Sequence, residues 1–177
     1  MISIWSRIDW RSDSCRASFS TQFSKDFLHL TGLLHDIGKI IIVQFFHDEY
    51  VDSVSLGKQH SLPLFLAEQK ALGVDHAEVG AWLGTKWNLA ESQIQSIRFH
   101  HDPLLAAPEH EELAMLCHTA NYLCNLEKIG DAGDNMTPFF DQRALDRIGL
   151  KVSDIPAVAE RVITESKQSE VLISLLN

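Results

Sequence analysis

Five side chains in this sequence are of the type that could share one metal ion. His35 and Asp36 are adjacent, His76 stands alone, and His100 and His101 are adjacent again. The chain has nine histidines, and they are not spread evenly along it. Imidazole nitrogen together with carboxylate oxygen is the donor mix that suits Zn, Fe, Mn or related divalent ions. Each residue also has a plain structural reading. A histidine at a helix C-terminus is favoured by the helix dipole, which would account for His35 or His101 without a metal. An aspartate before proline, as in Asp102-Pro103, is an ordinary helix stop. A histidine in a first turn, such as His76, is by itself only a half-buried polar group.

The elements that must carry these residues read as helices. Phe27, Leu30, Leu34 and Ile37 follow helical spacing, so His35 and Asp36 fall near a helix end, with Gly38 offering a left-handed stop. The run Ile40-Ile41-Ile42-Val43 is β-branched but has no second strand-like run to pair with, so it is expected to be a short buried helical turn or an extended connector. Pro63 opens a helix that Gly73 closes. Asp75 begins the next, with Glu78 completing a capping-box-like pattern and Val79, Trp82 and Leu83 facing inward. A helix over residues 91–101 places Ile94, Ile97 and His101 on one stripe and stops at Asp102-Pro103. Leu113, Leu116, Cys117, Ala120 and Cys124 mark a further helix. Residues 130–138 read as a polar loop, and two more helices follow, separated by Gly149 and restarted at Ser153. Ligands at the ends of several helices are how bundles build metal sites in their cores.

Composition bounds the function. The 177 residues suit one domain with a real core, and the expected organisation is a single domain over 1–177. The formal net charge of −9 argues against a sequence-independent grip on nucleic acid, which needs Lys and Arg to replace counterions. It leaves room for a phosphorylated ligand, because a bound metal supplies positive charge locally. Cys15, Cys117 and Cys124 form no C-x-x-C pair, and Cys117 and Cys124 share a helix face as buried thiols. Residues 1–10 carry Arg7 and Asp9 and have no long apolar stretch, so no signal peptide is expected. No segment has the length to span a membrane, and the expected compartment is the cytoplasm. Trp5, Trp10 and Phe19 are bulky apolar groups near the chain start, where an adhesive surface is expected.

The string Gly32-Leu33-Leu34-His35-Asp36-Ile37-Gly38-Lys39 resembles the signature of the HD superfamily of metal-dependent phosphohydrolases. Asp75-His76-Ala77-Glu78-Val79-Gly80-Ala81-Trp82-Leu83, then Trp87, then Ile97-Arg98-Phe99-His100-His101-Asp102-Pro103 narrow the resemblance to the HDOD family, the HD-related output domain of bacterial signalling proteins. The resemblance covers roughly residues 10–125 and implies an all-α, HD-domain-like helical bundle. Carried over residue by residue, it makes His35, Asp36, His76, His100 and His101 metal ligands, and makes Lys39 the lysine that follows the HD pair, a catalytic group only if the site is active. The ion it implies is one of Fe, Mn, Zn, Ni or Mg.

The sequence also departs from that pattern. HD enzymes add an upstream histidine, and Trp10-Arg11-Ser12-Asp13 offers none. Their downstream aspartate aligns with Asn121 in His118-Thr119-Ala120-Asn121, and a neutral amide is a weaker ligand for a hard cation. Asp102-Pro103-Leu104-Leu105 follows His101 where the cyclic-di-GMP phosphodiesterases of the related HD-GYP type carry Gly-Tyr-Pro. HDOD domains usually carry a further helical half ahead of the part matched here, so the chain is expected to begin near the middle of one. The expected function is a non-catalytic signal-transduction domain holding a divalent metal in a degenerate site. Its expected partners are signalling proteins or a nucleotide or phosphoester ligand, with homo-oligomerisation open and no role for nucleic acid or membrane. The alternative is a metal-dependent phosphohydrolase.

Overall fold

The computed structural model describes residues 23–128, 139–148, 150–160 and 163–164. Among these residues the structure is all helical: α1 (Lys25–Leu34), α2 (Ile37–Phe45), α3 (His47–His60), α4 (Leu64–Leu72), α5 (His76–Lys86), α6 (Glu91–Phe99), α7 (Glu111–Leu126) and α8 (Gln142–Arg147), with 3-10 turns at Pro103–Leu105 and Val152–Asp154. The residues expected to form an N-terminal adhesive surface, Cys15, and the expected loop at 130–138 lie outside the described residues.

Local chemistry sets the boundaries. Ser24 caps α1 by accepting the Phe27 N–H. Pro63 precedes α4, and Gly73 ends it in the left-handed conformation (φ 77°), as the sequence predicts. Asp75 caps α5 by accepting the Glu78 N–H at 2.9 Å. The Glu78 carboxylate faces Arg98 on α6 at 3.0 Å, so a contact between helices holds the other side of the expected capping pair.

The core is organised around α7, where eleven of sixteen residues are buried. Leu113, Leu116, Cys117, Ala120 and Cys124 lie inside as expected, packed with Ala144 and Leu145 of α8, then Ile148 and Leu150. A smaller apolar cluster joins Ala81 of α5 to Ile94 and Ile97 of α6. Helix α6 packs against both α5 and α7, so it links the two clusters.

Two expectations fail and a third, a helical reading of the isoleucine run, holds only in part, for one reason. Gly38 is not a helix stop: it is buried inside α2, and α1 ends instead at the His35-Asp36 elbow. The run Ile40-Ile41-Ile42-Val43 is a regular part of α2, with Ile42 buried but Ile40 and Val43 exposed. Trp82 is 55 % exposed, whereas Ala77, Gly80, Ala81 and Gly84 form the buried face of α5. Helices α2 and α5 approach so closely that only small residues fit between them. A Cβ on Gly38 would overlap the His76 carbonyl and lie 2.8 Å from the Gly80 nitrogen, and one on Gly80 would lie 2.9 Å from Ile97 Cγ2. Bulky groups therefore turn outward.

This contact gives a direct test. Gly38→Ala meets backbone that cannot swing aside, and overpacking of that kind costs about 1–3 kcal/mol or more. Gly73→Ala meets no atom within 4 Å and bears only the left-handed strain, about 1 kcal/mol. Urea denaturation of both variants should show the larger loss for Gly38→Ala.

Candidate metal centre

The five sequence-predicted ligands lie together, carried by three separate parts of the bundle. His35 is the C-cap of α1 and Asp36 the N-cap of α2, so a sharp elbow projects both side chains from one point. His76 is the first residue of α5. His100 caps the C-terminus of α6, and His101 follows it. His35, His76 and His100 are at most 2 % exposed, and the His101 ring is half-buried.

Asp36 is the hub. Its Oδ1 lies 3.2 Å from His76 Nε2 and 3.6 Å from His100 Nε2, while Oδ2 lies 3.4 Å from His35 Nε2 and 3.0 Å from Lys39 Nζ. His101 Nε2 lies 2.9 Å from His76 Nε2. Donors about 2.0–2.2 Å from a common ion sit about 3.0–3.5 Å from one another in tetrahedral or octahedral geometry, and the observed separations fall in or next to that range. Two overlapping groups have donor atoms all within 4.8 Å of one another, His76 with His100 and His101, and His35 with Asp36 and His100.

The opposite edges of the rings are held. Nδ1 of His35 donates to the Gly32 carbonyl (2.8 Å) and Nδ1 of His100 to the Ile97 carbonyl (2.7 Å). With Nδ1 protonated, Nε2 presents its lone pair to the centre, which is how metal-ligating imidazoles are oriented. His101 is aimed differently, by stacking on Phe65 of α4 with centroids 4.2 Å apart and planes 10° from parallel. His100 Nε2 is buried without a hydrogen bond, which is costly unless another group engages it. On this ground the donor set fits a divalent cation.

Electrostatics point the same way. Burial opposes ionisation of Asp36, but His35, Lys39 and His76 outweigh it and hold the carboxyl well below its usual range. Burial and Lys39 disfavour a charged His76, yet hydrogen bonds to Asp36 and Glu68 prevail and raise its pKa to about 9. His100 and His101 are pushed well down, first by burial and then by the neighbouring rings, and so stay neutral. The two carboxylates draw positive charge into the centre: without a metal it is a proton on His76, which an ion bound at Nε2 would displace, while His100 and His101 keep their lone pairs.

Some residues around the centre carry no clear sequence signal. Glu68 on α4 is fully buried, and its Oε2 accepts both the Nδ1–H of His76 (2.6 Å) and the His76 backbone N–H (2.9 Å). Its one trace in the sequence is a charge on the apolar stripe Leu64, Glu68, Leu72. His118 on α7 donates from Nδ1 to the His100 carbonyl (2.8 Å) and accepts the Asp141 N–H at Nε2 (3.1 Å), tying the segment before α8 to the histidine cluster. Asn121 is buried on α7, where its side-chain oxygen accepts from Asn125. Burial raises the Cys117 thiol well above its ordinary pKa, with Asp36 adding to the effect, so it stays protonated. Two clefts of about 430 and 350 Å³ flank the Phe65–His101 stack; the first also borders His118, Phe140 and Arg143, the second Glu78 and Arg98.

Comparison with known proteins fits this geometry. An uncharacterized protein of Treponema pallidum (strain Nichols) is 30% identical over 93 residues, which is 52% of this chain but 18% of that protein. The structure is similar to an HDOD domain protein of unknown function from Geobacter sulfurreducens (TM-score 0.63, 24% identity, 99% of this chain and 59% of that one). It is also similar to a protein from Shewanella amazonensis SB2B named as a candidate phosphohydrolase (TM-score 0.61, 20% identity, 94% of this chain and 62% of that one). The chain thus spans about a fifth of the curated relative and about three fifths of each solved chain. At these identities the solved structures speak for the fold, an all-helical HDOD-type bundle. The HDOD domain family matches residues 16–103, a stretch that includes all five clustered residues, and over it this chain belongs to the HDOD family.

Proposed function

We propose that this chain is a regulatory HDOD domain of signal transduction that holds a divalent cation as a structural centre and does not turn over phosphoesters. The observation that carries the metal reading is that Asp36 lies 3.2–3.6 Å from three imidazole Nε2 atoms and a fourth lies 2.9 Å from His76, forming two overlapping three-donor groups that share His100. Imidazole-rich sites favour Zn, Fe, Mn or Ni over Mg, which prefers oxygen donors and its own waters. Among the described residues no helix is long and apolar enough to cross a membrane.

Two features support a non-catalytic reading. Lys39 Nζ is engaged by Asp36 Oδ2 at 3.0 Å, on the centre's own carboxylate. Asn121 brings no charge, so Asp36 is the sole carboxylate within the clustered donor groups among the described residues. A water-activating centre must hold the ion, activate water and clamp a phosphate together. One observation favours the alternative, a metal-dependent phosphohydrolase acting on a nucleotide or another phosphoester: His101 borders both clefts, which gives a small molecule a route to the centre.

Elemental analysis of the purified protein should find a bound transition metal, and Asp36→Ala should lose it while keeping its helical circular dichroism, since that change removes the charged donor. Unchanged metal content in Asp36→Ala would place the ion elsewhere. Incubation with cyclic-di-GMP, phosphodiesters and phosphomonoesters in the presence of Mn, Fe, Ni or Mg should give no multiple turnover. Linear dinucleotide or free phosphate that accumulates catalytically, and vanishes in Asp36→Ala, would make the chain an enzyme.

A further inference from the structure

We infer that Glu68 is the second anionic member of this centre, a positioning residue that acts through His76 by fixing its protonated edge and strengthening its metal-facing nitrogen. The inference rests on the metal reading above and assigns a role to a residue outside the donor cluster.

A carboxylate 0 % exposed in the middle of a helix needs a reason, because removing its charge from water is expensive. Glu68 has one partner residue in its hydrogen bonds, and both bonds go to Oε2: the His76 backbone N–H and the His76 Nδ1–H. Its Oε1 is buried with no hydrogen bond. A helix cap alone would need only the backbone contact, and Asp75 already caps α5 at Glu78. The 2.6 Å contact to Nδ1 is the short kind made when a partner is charged. It holds the proton at Nδ1 and leaves Nε2 to face Asp36 Oδ1 at 3.2 Å and His101 Nε2 at 2.9 Å. The two ring nitrogens of His76 therefore each face a carboxylate, Nε2 one in the donor cluster and Nδ1 one behind it.

Charge makes the second carboxylate useful. Once an ion has displaced the proton from His76 and all the rings are neutral, Asp36 and Lys39 cancel, and Glu68 makes the formal charge −1, which favours a divalent ion. A carboxylate behind a ligating imidazole raises the basicity of that ligand, and its removal costs about ten- to a hundredfold in metal affinity.

The test uses the full chain. Glu68→Gln keeps an oxygen that can accept both His76 N–H groups, so a purely structural role survives, while the charge is removed. Zn(II) affinity, measured by competition with a chromophoric chelator, should fall about ten- to a hundredfold in Glu68→Gln. Nitrogen-15 histidine spectra of the wild type should show His76 protonated at Nδ1, with a far-downfield Nδ1–H that moves upfield in the variant. A wild-type His76 bare at Nδ1 would overturn the inference, as would a Gln variant with unchanged Zn(II) affinity and an unchanged Nδ1–H resonance. The wild-type spectrum decides even if the variant does not fold. If the wild type takes up no Zn(II) or other metal, the metal reading fails, while the Nδ1 assignment still decides whether Glu68 positions His76.

Discussion

The backbone of α2 meets the backbone of α5 at Gly38, and most of the centre's geometry follows from that meeting. Asp36 lies two residues before the contact, and the carbonyl it presses against belongs to His76 itself. The hub carboxylate and the central imidazole are thus referenced to one point of main-chain contact, with no flexible side chain between them. Packed backbone is stiff, so the 3.2 Å between Asp36 Oδ1 and His76 Nε2 is set largely by helix placement. Gly80, packed on Gly38 from one side and Ile97 from the other, extends the same spacing to α6 and so to His100.

Around that frame the polar groups are arranged in two layers. The inner layer is Asp36 and the Nε2 atoms, where positive charge is wanted. The outer layer is the Gly32 and Ile97 carbonyls and Glu68, which accept the protons on the far edges of the rings. His118 extends it by holding the His100 carbonyl and the Asp141 amide together. The centre is therefore not isolated from the C-terminal helices: α7 and the segment leading to α8 meet it through a neutral imidazole. Buried polar networks of this kind are costly when half satisfied and rigid when complete.

The helices and the cluster were legible in the sequence to different degrees. Pro63, Gly73 and Asp75 punctuate the chain by backbone chemistry that acts locally, and those boundaries fall where they should. The five clustered residues were legible through adjacent pairs and helix ends, helped by their motif resemblance. Gly38 was misread because a glycine needed for close approach looks the same, in one sequence, as a glycine needed for a left-handed turn. Trp82 was misread because hydrophobic patterning assumes a core with room for large side chains, and α5 faces a gap that admits only alanine and glycine. Glu68 and His118 were passed over because their partners are fixed by tertiary packing, and no spacing rule links residue 68 to 76 or 118 to 141.

The stack of Phe65 on His101 sets that imidazole apart from its neighbours. A hydrogen bond at Nδ1 dictates where a ring's proton resides as well as where the ring points. A phenyl face dictates only the plane. His101 is thus fixed in tilt by Phe65, and the nitrogen it turns inward is engaged by His76 Nε2 at 2.9 Å, so its proton answers to another ligand-type ring rather than to a carbonyl. Because Phe65 and His101 line both clefts, the ring whose proton depends on His76 is also the one that meets small molecules and solvent at the edge of the centre.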